Sequence, residues 1–202
     1  FDLVIVGNVM SRGMGIIEKL LESNIKHISG PQWLYENVLC KKTVIAISGT
    51  HGKTTTSSLV TWILKYAKLN PSYLIGGQPI NLSSPAKLTS SKFFVIEADE
   101  YDTSFFDKRS KYIHYHPNIL VINNIEFDHA DIFENIDSVV KNFHHLVRIV
   151  PKNGKIIYNC DDKNIRKLIK KGIWSKEISM TSKNYKSANW SLSKKGNSFF
   201  LS

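Results

Sequence analysis

The feature that most constrains this chain is the run Thr43–Ser48 (TVIAIS) followed at once by Gly49-Thr50-His51-Gly52-Lys53-Thr54-Thr55-Thr56. The β-branched and apolar run reads as a strand buried on both faces, as in the middle of a parallel sheet. From about Thr54 to Tyr66 the pattern turns helical, with Leu59, Val60, Ile63, Leu64 and Ala67 expected to face the sheet and Asn70-Pro71 to end the helix. A strand, a glycine loop and a helix N-terminus together aim unpaired backbone N–H groups at an anion. Gly49 and Gly52 let the backbone approach phosphate oxygens, Lys53 can reach the outer phosphates of a nucleotide, and the Thr54 hydroxyl can ligate Mg²⁺. The candidate nucleotide-binding set is therefore Gly49, Thr50, His51, Gly52, Lys53, Thr54 and Thr55, with nucleotide phosphates and Mg²⁺ as the implied ligands. The general phosphate-loop pattern places another glycine at position 47, where this sequence has Ile47. That mismatch weakens a general kinase or GTPase reading.

The rest of the chain alternates strand and helix signals, which predicts an α/β fold with a mostly parallel sheet flanked by helices. Leu3–Val6, Phe93–Ala98, Ile119–Asn123 and Lys155–Asn159 read as strands. Ile16, Ile17, Leu20 and Leu21 read as one face of a helix, and Pro31 suits the first turn of another that runs to Val38. Asp137–Val150 is expected to be helical because Ile136, Val139, Val140, Phe143 and Val147 recur at helical spacing, and Pro151 ends it. Asp161–Lys171 is helical with Ile165, Leu168 and Ile169 as its stripe. Asn189–Ser193 and Asn197–Leu201 flank Lys194-Lys195-Gly196 as an antiparallel hairpin. Polar residues at Cys40–Lys42 suggest a boundary, giving residues 1–41 as the end of one domain and 42–202 as the start of another. Phe1 opens inside a strand pattern and residue 202 falls inside another, so both ends are expected to be truncated.

Two further segments carry chemistry. Glu97-Ala98-Asp99-Glu100-Tyr101-Asp102 follows an apolar strand, at the end where α/β sheets bind ligands. Glu97, still on that strand, would be costly to bury without a partner, so a metal-ligand role beside the phosphate loop is favoured. Asp99, Glu100 and Asp102 read equally well as solvated loop acids. Asn123-Asn124-Ile125-Glu126-Phe127-Asp128-His129 delivers polar groups to the same edge from the next strand. His129 could hold a metal or contact a phosphate with Asp128 orienting it, although a lone histidine is more often a packed or surface residue.

Composition excludes some alternatives. No apolar run reaches the ~20 residues of a membrane span. Two cysteines, Cys40 and Cys160, form no disulfide framework and no metal pair, which fits a reducing cytoplasm. The net charge of +10 raises nucleic acid as a partner. The lysines, however, decorate helix faces such as Asp161–Lys171 and the aromatics do not interleave with them, so no nucleic acid and no membrane is the reading kept.

Taken in order, Gly49–Thr56, Glu97–Glu100 and Asn124–His129 resemble the central domain of the muramyl (Mur) ligases. The shortened phosphate loop is that family's own form. Glu97–Pro117, Gly7–Gly13 and Gly30–Leu34 further resemble the branch that joins a peptide, rather than L-alanine alone, to UDP-N-acetylmuramate. The resemblance implies an ATP-dependent amide-forming ligase working through an acyl phosphate, with UDP-N-acetylmuramate and a murein peptide as substrates. It implies catalytic roles for Lys53, Glu97 and His129, Mg²⁺ ligation by Thr54, Glu97 and His129, and substrate contacts from Asn8, Arg12 and Asn124. It also implies that residues 1–41 end a Rossmann-like UDP-sugar-binding domain, that 42–202 are an incomplete ATP-binding domain, and that a third, amine-binding domain is missing. The alternatives are the sister ligase for L-alanine, a non-catalytic nucleotide-binding remnant, and an NTPase acting on nucleic acid.

Overall fold

The computed structural model describes residues 1–128, 132–183, 188–195 and 198–202. It opens with a small parallel unit of β1 (Val4–Val6), α1 (Gly15–Glu22) and β2 (His27–Ser29), in register with Val4 opposite His27. Val6, Ile17 and Leu20 form its buried centre. Ile16 and Leu21, expected on the same face, are exposed instead. Two three-residue strands cover only one stripe of a helix, and the i, i+3 pair Ile17 and Leu20 occupies it. In α2 (Gly30–Asn37) the Ser29 hydroxyl caps the first turn by accepting the Gln32 N–H at 3.2 Å, and Pro31 sits where no N–H is needed. Leu34, Tyr35 and Val38, with fully buried Leu39, pack onto the main core, so α2 and the 3₁₀ turn Leu39–Lys41 tie the small unit to the large one.

The large unit runs β3 (Thr43–Ser48), α3 (Lys53–Tyr66), β4 (Ser72–Leu74), β5 (Ala86–Lys87), β6 (Phe93–Glu97), β7 (Ile119–Ile122), α4 (Ile136–Arg148), β8 (Lys155–Asn159), α5 (Lys163–Lys170), β9 (Lys176–Thr181), β10 (Trp190–Lys195) and β11 (Ser198–Leu201). These strands form one nine-stranded sheet in the order β11-β10-β9-β8-β7-β3-β6-β4-β5. Its interior pairs are parallel, and only the edge pairs β4–β5 and β10–β11 are antiparallel. The predicted hairpin is thus the β10–β11 edge. The short strand β4 and the polar strand β9 carry too little apolar pattern to be read from sequence. From β3 the chain goes out to β4 and β5 at one edge, returns to β6 beside β3, then crosses to β7 on the other side. That reversal opens a crevice at the carboxyl end of β3.

Both faces of the sheet are covered. Val44 and Ala46 of β3 point into the core shared with α4 and α5, while Ile45 and Ile47 point into the core shared with α3. Ile47, where a longer phosphate loop would need glycine, is wholly buried in that second core. α4 buries Val139, Val140, Phe143 and Val147 as its periodicity predicts; Leu146, which was not predicted, joins them, and Ile136 is only partly buried.

α3 does not follow its predicted stripe. Leu59 and Ile63 are 54% and 57% exposed and Ala67 is exposed, whereas Ser57 and Thr61 are buried beside Val60 and Leu64. The cause lies at the helix's first turn. Lys53 and Thr54 point into the crevice to meet acids on the β6 side, and at 100° per residue this rotation carries 57, 60, 61 and 64 onto the sheet. Ser57 and Thr61 are small enough to let the helix sit close.

Asp162 caps α5, its Oδ1 accepting the N–H groups of Asn164 at 2.7 Å and Ile165 at 3.1 Å. Its Oδ2 accepts Ile125 N–H at 2.9 Å, which ties the segment after β7 to the helix. Asp162→Ala is expected to cost about 2 kcal/mol in urea unfolding, a cap and a charged hydrogen bond together. Asp162→Asn, which can still cap, is expected to recover roughly half of that loss.

Candidate functional site

The crevice is lined by the ends of β3, β6 and β7 and by the start of α3. Gly49 has φ +134°, and a Cβ there would lie 3.0 Å from Asn123 Cβ and 3.1 Å from both backbone N and O of Asn124. Gly52, at φ +77°, is the N-cap of α3. Only glycine meets both demands at position 49, the left-handed conformation and the close backbone contact. The segment after β7 holds the loop from beneath. Thr50 N–H donates to Asn124 O at 3.1 Å, His51 N–H to Asn124 Oδ1 at 2.8 Å, and Asn124 Nδ2 to His51 O at 3.2 Å. Thr50 Oγ1 donates to Glu126 O at 3.2 Å and accepts Glu126 N–H at 2.9 Å. Asn124, expected to contact substrate, is thus engaged in clamping the loop.

Lys53 lies folded back into the loop. Its Nζ donates to Gly49 O at 2.8 Å and Thr50 O at 3.3 Å, and to both Glu100 carboxylate oxygens at 2.9 and 3.1 Å. Beside it Thr54 Oγ1 donates to both oxygens of Glu97 at 3.1 Å. The sequence-predicted pair Thr54 and Glu97 is therefore brought together across α3 and β6. Thr55 is exposed on the first turn of α3, and His51 is exposed at the loop's tip, 3.7 Å from Glu126 Oε2.

Two participants were not assigned from the sequence. Gly76 N–H donates to Glu97 Oε2 at 2.9 Å, and a Cβ on Gly77 would stand 2.9 Å from Thr54 Cγ2. The Gly76-Gly77 doublet after β4 thus closes over the Thr54–Glu97 pair, and the doublet itself was the available signal. Glu100 is the other, at 3% exposure a buried acid rather than a solvated one. Its neighbours in sequence behave differently: Asp99 pairs with Lys111 at 2.8 Å, and Asp102 with Lys108 at 2.8 Å.

The loop after β6 is braced over its whole length. Ser110 Oγ donates to Glu100 O at 2.6 Å and to Asn142 Oδ1 at 3.0 Å, and buried Tyr112 also donates to Asn142. Burial pushes the Tyr112 phenol well above its ordinary range. Asp107 is held at about 2, mainly by hydrogen bonds from Arg109 and also by His114 at 2.8 Å, against partial burial.

Asn8 and Arg12 belong to the β1–α1 loop of the small unit. Arg12 forms a two-pronged pair with Glu18 at 3.0 and 3.1 Å, and among the described residues no hydrogen bond links it or Asn8 to the phosphate loop. His129 lies outside the described residues. A hard divalent cation fits the Thr54–Glu97 pair by donor chemistry, since both offer oxygen and sit beside the phosphate loop. No helix among the described residues is long and apolar enough to cross a membrane.

A family model described as Mur ligase middle domain matches residues 47–202. An Escherichia coli (strain K12) protein, UDP-N-acetylmuramate–L-alanyl-γ-D-glutamyl-meso-2,6-diaminoheptandioate ligase, is 53% identical over 176 residues, covering 87% of this chain and 38% of that protein. A Caldicellulosiruptor saccharolyticus UDP-N-acetylmuramate–L-alanine ligase is 44% identical over 124 residues, covering 61% of this chain and 26% of the relative. Among solved structures, the Neisseria meningitides UDP-N-acetylmuramate:L-alanyl-γ-D-glutamyl-meso-diaminopimelate ligase superposes with TM-score 0.92 at 43% identity, covering all of this chain and 64% of that one. The chain spans 38% and 39% of the first two curated relatives it matches.

Proposed function

Because this chain belongs to the Mur ligase family, matching its middle domain, we propose that it carries the ATP site of a ligase joining UDP-N-acetylmuramate to the peptide L-Ala-γ-D-Glu-meso-diaminopimelate. The observation that carries the reading is the loop Gly49–Thr54 with Lys53 and the Thr54–Glu97 pair converging at one sheet edge. The choice of peptide over L-alanine rests on the relative with the longer and stronger match. On this reading residues 1–41 end the UDP-sugar-binding domain and 42–202 belong to the ATP-binding domain, and the cytoplasm is the proposed location.

In the proposed reaction a carboxylate oxygen of UDP-N-acetylmuramate attacks the γ-phosphorus of ATP, and ADP leaves. The peptide's amino nitrogen then attacks the carbonyl carbon of the acyl phosphate. The C–N bond forms, inorganic phosphate departs with the C–O electrons, and the amine's proton passes to solvent. A carboxylate resists such attack until its oxygen becomes a phosphate leaving group. The loop N–H groups and the start of α3 would hold the nucleotide's phosphates, and Lys53 would neutralise charge on the transferred group. Thr54 and Glu97 would hold Mg²⁺, with His129 assigned to a second ion, and the metal would offset phosphate charge.

Phosphate release from the protein in its full reading frame tests this, with ATP, Mg²⁺, UDP-N-acetylmuramate and either tripeptide or L-alanine. Release that depends on tripeptide is expected. Release with L-alanine alone would move the assignment to the sister ligase, and none with either would leave a nucleotide-binding remnant.

A further inference from the structure

The most unusual group in the crevice is a second acid that the proposed chemistry leaves without a role. Glu100 is 3% exposed, and both oxygens of its carboxylate accept from the Lys53 ammonium, at 2.9 and 3.1 Å. The Lys53 side chain is itself only 13% exposed. Any phosphate entering the loop must therefore share, or take over, a cation that a fixed anion already holds. The anion is fixed from behind. Glu100 O accepts from Ser110 Oγ, Lys111 N–H donates to Tyr101 O at 2.9 Å, and Thr103 and Arg109 close the loop at 3.0 Å. Ser110 is bonded in turn to Asn142 on α4.

We propose that Glu100 is a positioning residue that acts through Lys53, holding the ammonium inside the loop when no nucleotide is bound and opposing the nucleotide's phosphates when one is. The inference rests on the proposed nucleotide site. Two consequences follow, and they have opposite signs. Without nucleotide, the Glu100 charge stabilises the fold, because it compensates a nearly buried ammonium. With nucleotide, the same charge lies close to phosphate oxygens of like sign, and the bound state is weakened relative to one in which phosphate is the sole counter-ion. Glu100 would thus keep the loop formed in its empty state while limiting how tightly ATP and ADP are held, which favours release of the product nucleotide.

The test uses this chain with Mg²⁺ and either ATP or ADP, read by calorimetric titration and by thermal melting. Glu100→Gln preserves size and one acceptor while removing the charge. It is expected to melt roughly 5 °C lower without nucleotide and to bind both nucleotides about tenfold more tightly, the scale of one charge-assisted contact. A residue with a purely structural part would lower both quantities together. In the Lys53→Met background, Glu100→Gln is expected to raise nucleotide affinity by a smaller factor, since the competition for the ammonium is gone and only direct like-charge repulsion remains to be relieved. Should Glu100→Gln fold poorly, Glu100→Asp keeps the charge on a shorter arm and is expected to shift affinity in the same direction by a smaller factor. Equal or weaker nucleotide binding by these variants overturns the inference while leaving the nucleotide site standing. A wild-type chain that binds neither nucleotide overturns the site and the inference together.

Discussion

Lys53→Ala is expected to abolish ATP-dependent phosphate release and also to destabilise the protein, the second effect being as informative as the first. The functional loss follows from the role proposed for the lysine, which is to neutralise charge on the transferred phosphoryl group. Removing one preorganised charge of this kind costs on the order of 10³ in rate. The structural loss follows from its partner. Glu100 would be left at 3% exposure with its cation gone, and breaking a nearly buried pair from one side costs about 3 kcal/mol. For a chain of this length that corresponds to a fall in melting temperature of roughly 6–12 °C. The double variant Lys53→Ala with Glu100→Gln separates the two effects, because it leaves no unpaired charge. It is expected to regain most of the lost stability and none of the lost turnover. If Lys53→Ala melts like the wild type, the Lys53–Glu100 pair contributes no stability and the buried acid is compensated by other groups.

The phosphate loop was legible from sequence because its requirements are local. A strand that must be buried, a glycine at φ +134° and a lysine opening a helix each leave a mark on the residues themselves. Thr54 and Glu97 were singled out together through the resemblance to the Mur ligases, and the structure brings their side chains within hydrogen-bond distance. What the sequence hid is non-local. Glu100 and Asp102 are alike in their surroundings along the chain, and only the fold separates the acid buried on Lys53 from the half-buried one paired with exposed Lys108. The buried face of α3 was misread for a related reason. The contacts of Lys53 and Thr54 set the helix's rotation, so small polar residues, Ser57 and Thr61, face the sheet while Leu59 and Ile63 face outward. Apolar periodicity cannot register a constraint imposed from one end of a helix. The Gly76-Gly77 doublet was visible as letters, but its meaning depends on the approach of β4's end to β6.

Gly49→Ala is expected to be the most damaging single methyl group that can be added to this chain's crevice. Its φ of +134° is a conformation that a side chain rarely adopts, which alone costs on the order of 1–3 kcal/mol. The added Cβ would also press on Asn123 Cβ at 3.0 Å and on the Asn124 backbone at 3.1 Å. Those backbone atoms cannot swing aside, because Asn124 O holds Thr50 N–H and its side chain holds both backbone groups of His51. Relief must therefore come from moving the phosphate loop, which separates Lys53 from Gly49 O and tilts the N–H groups meant for phosphate. The expected result is a loss of about 3 kcal/mol in stability together with a drop of about a hundredfold or more in affinity for Mg²⁺-ATP, measured by titration calorimetry on protein that is still folded at low temperature. Gly7→Ala is the matched control: nothing lies within 4 Å of a Cβ there, and both quantities should stay within error of wild type. Nucleotide affinity retained in Gly49→Ala would mean that the loop binds phosphate in a shape other than the one described, and the roles assigned to Lys53 and Thr54 would have to be drawn again.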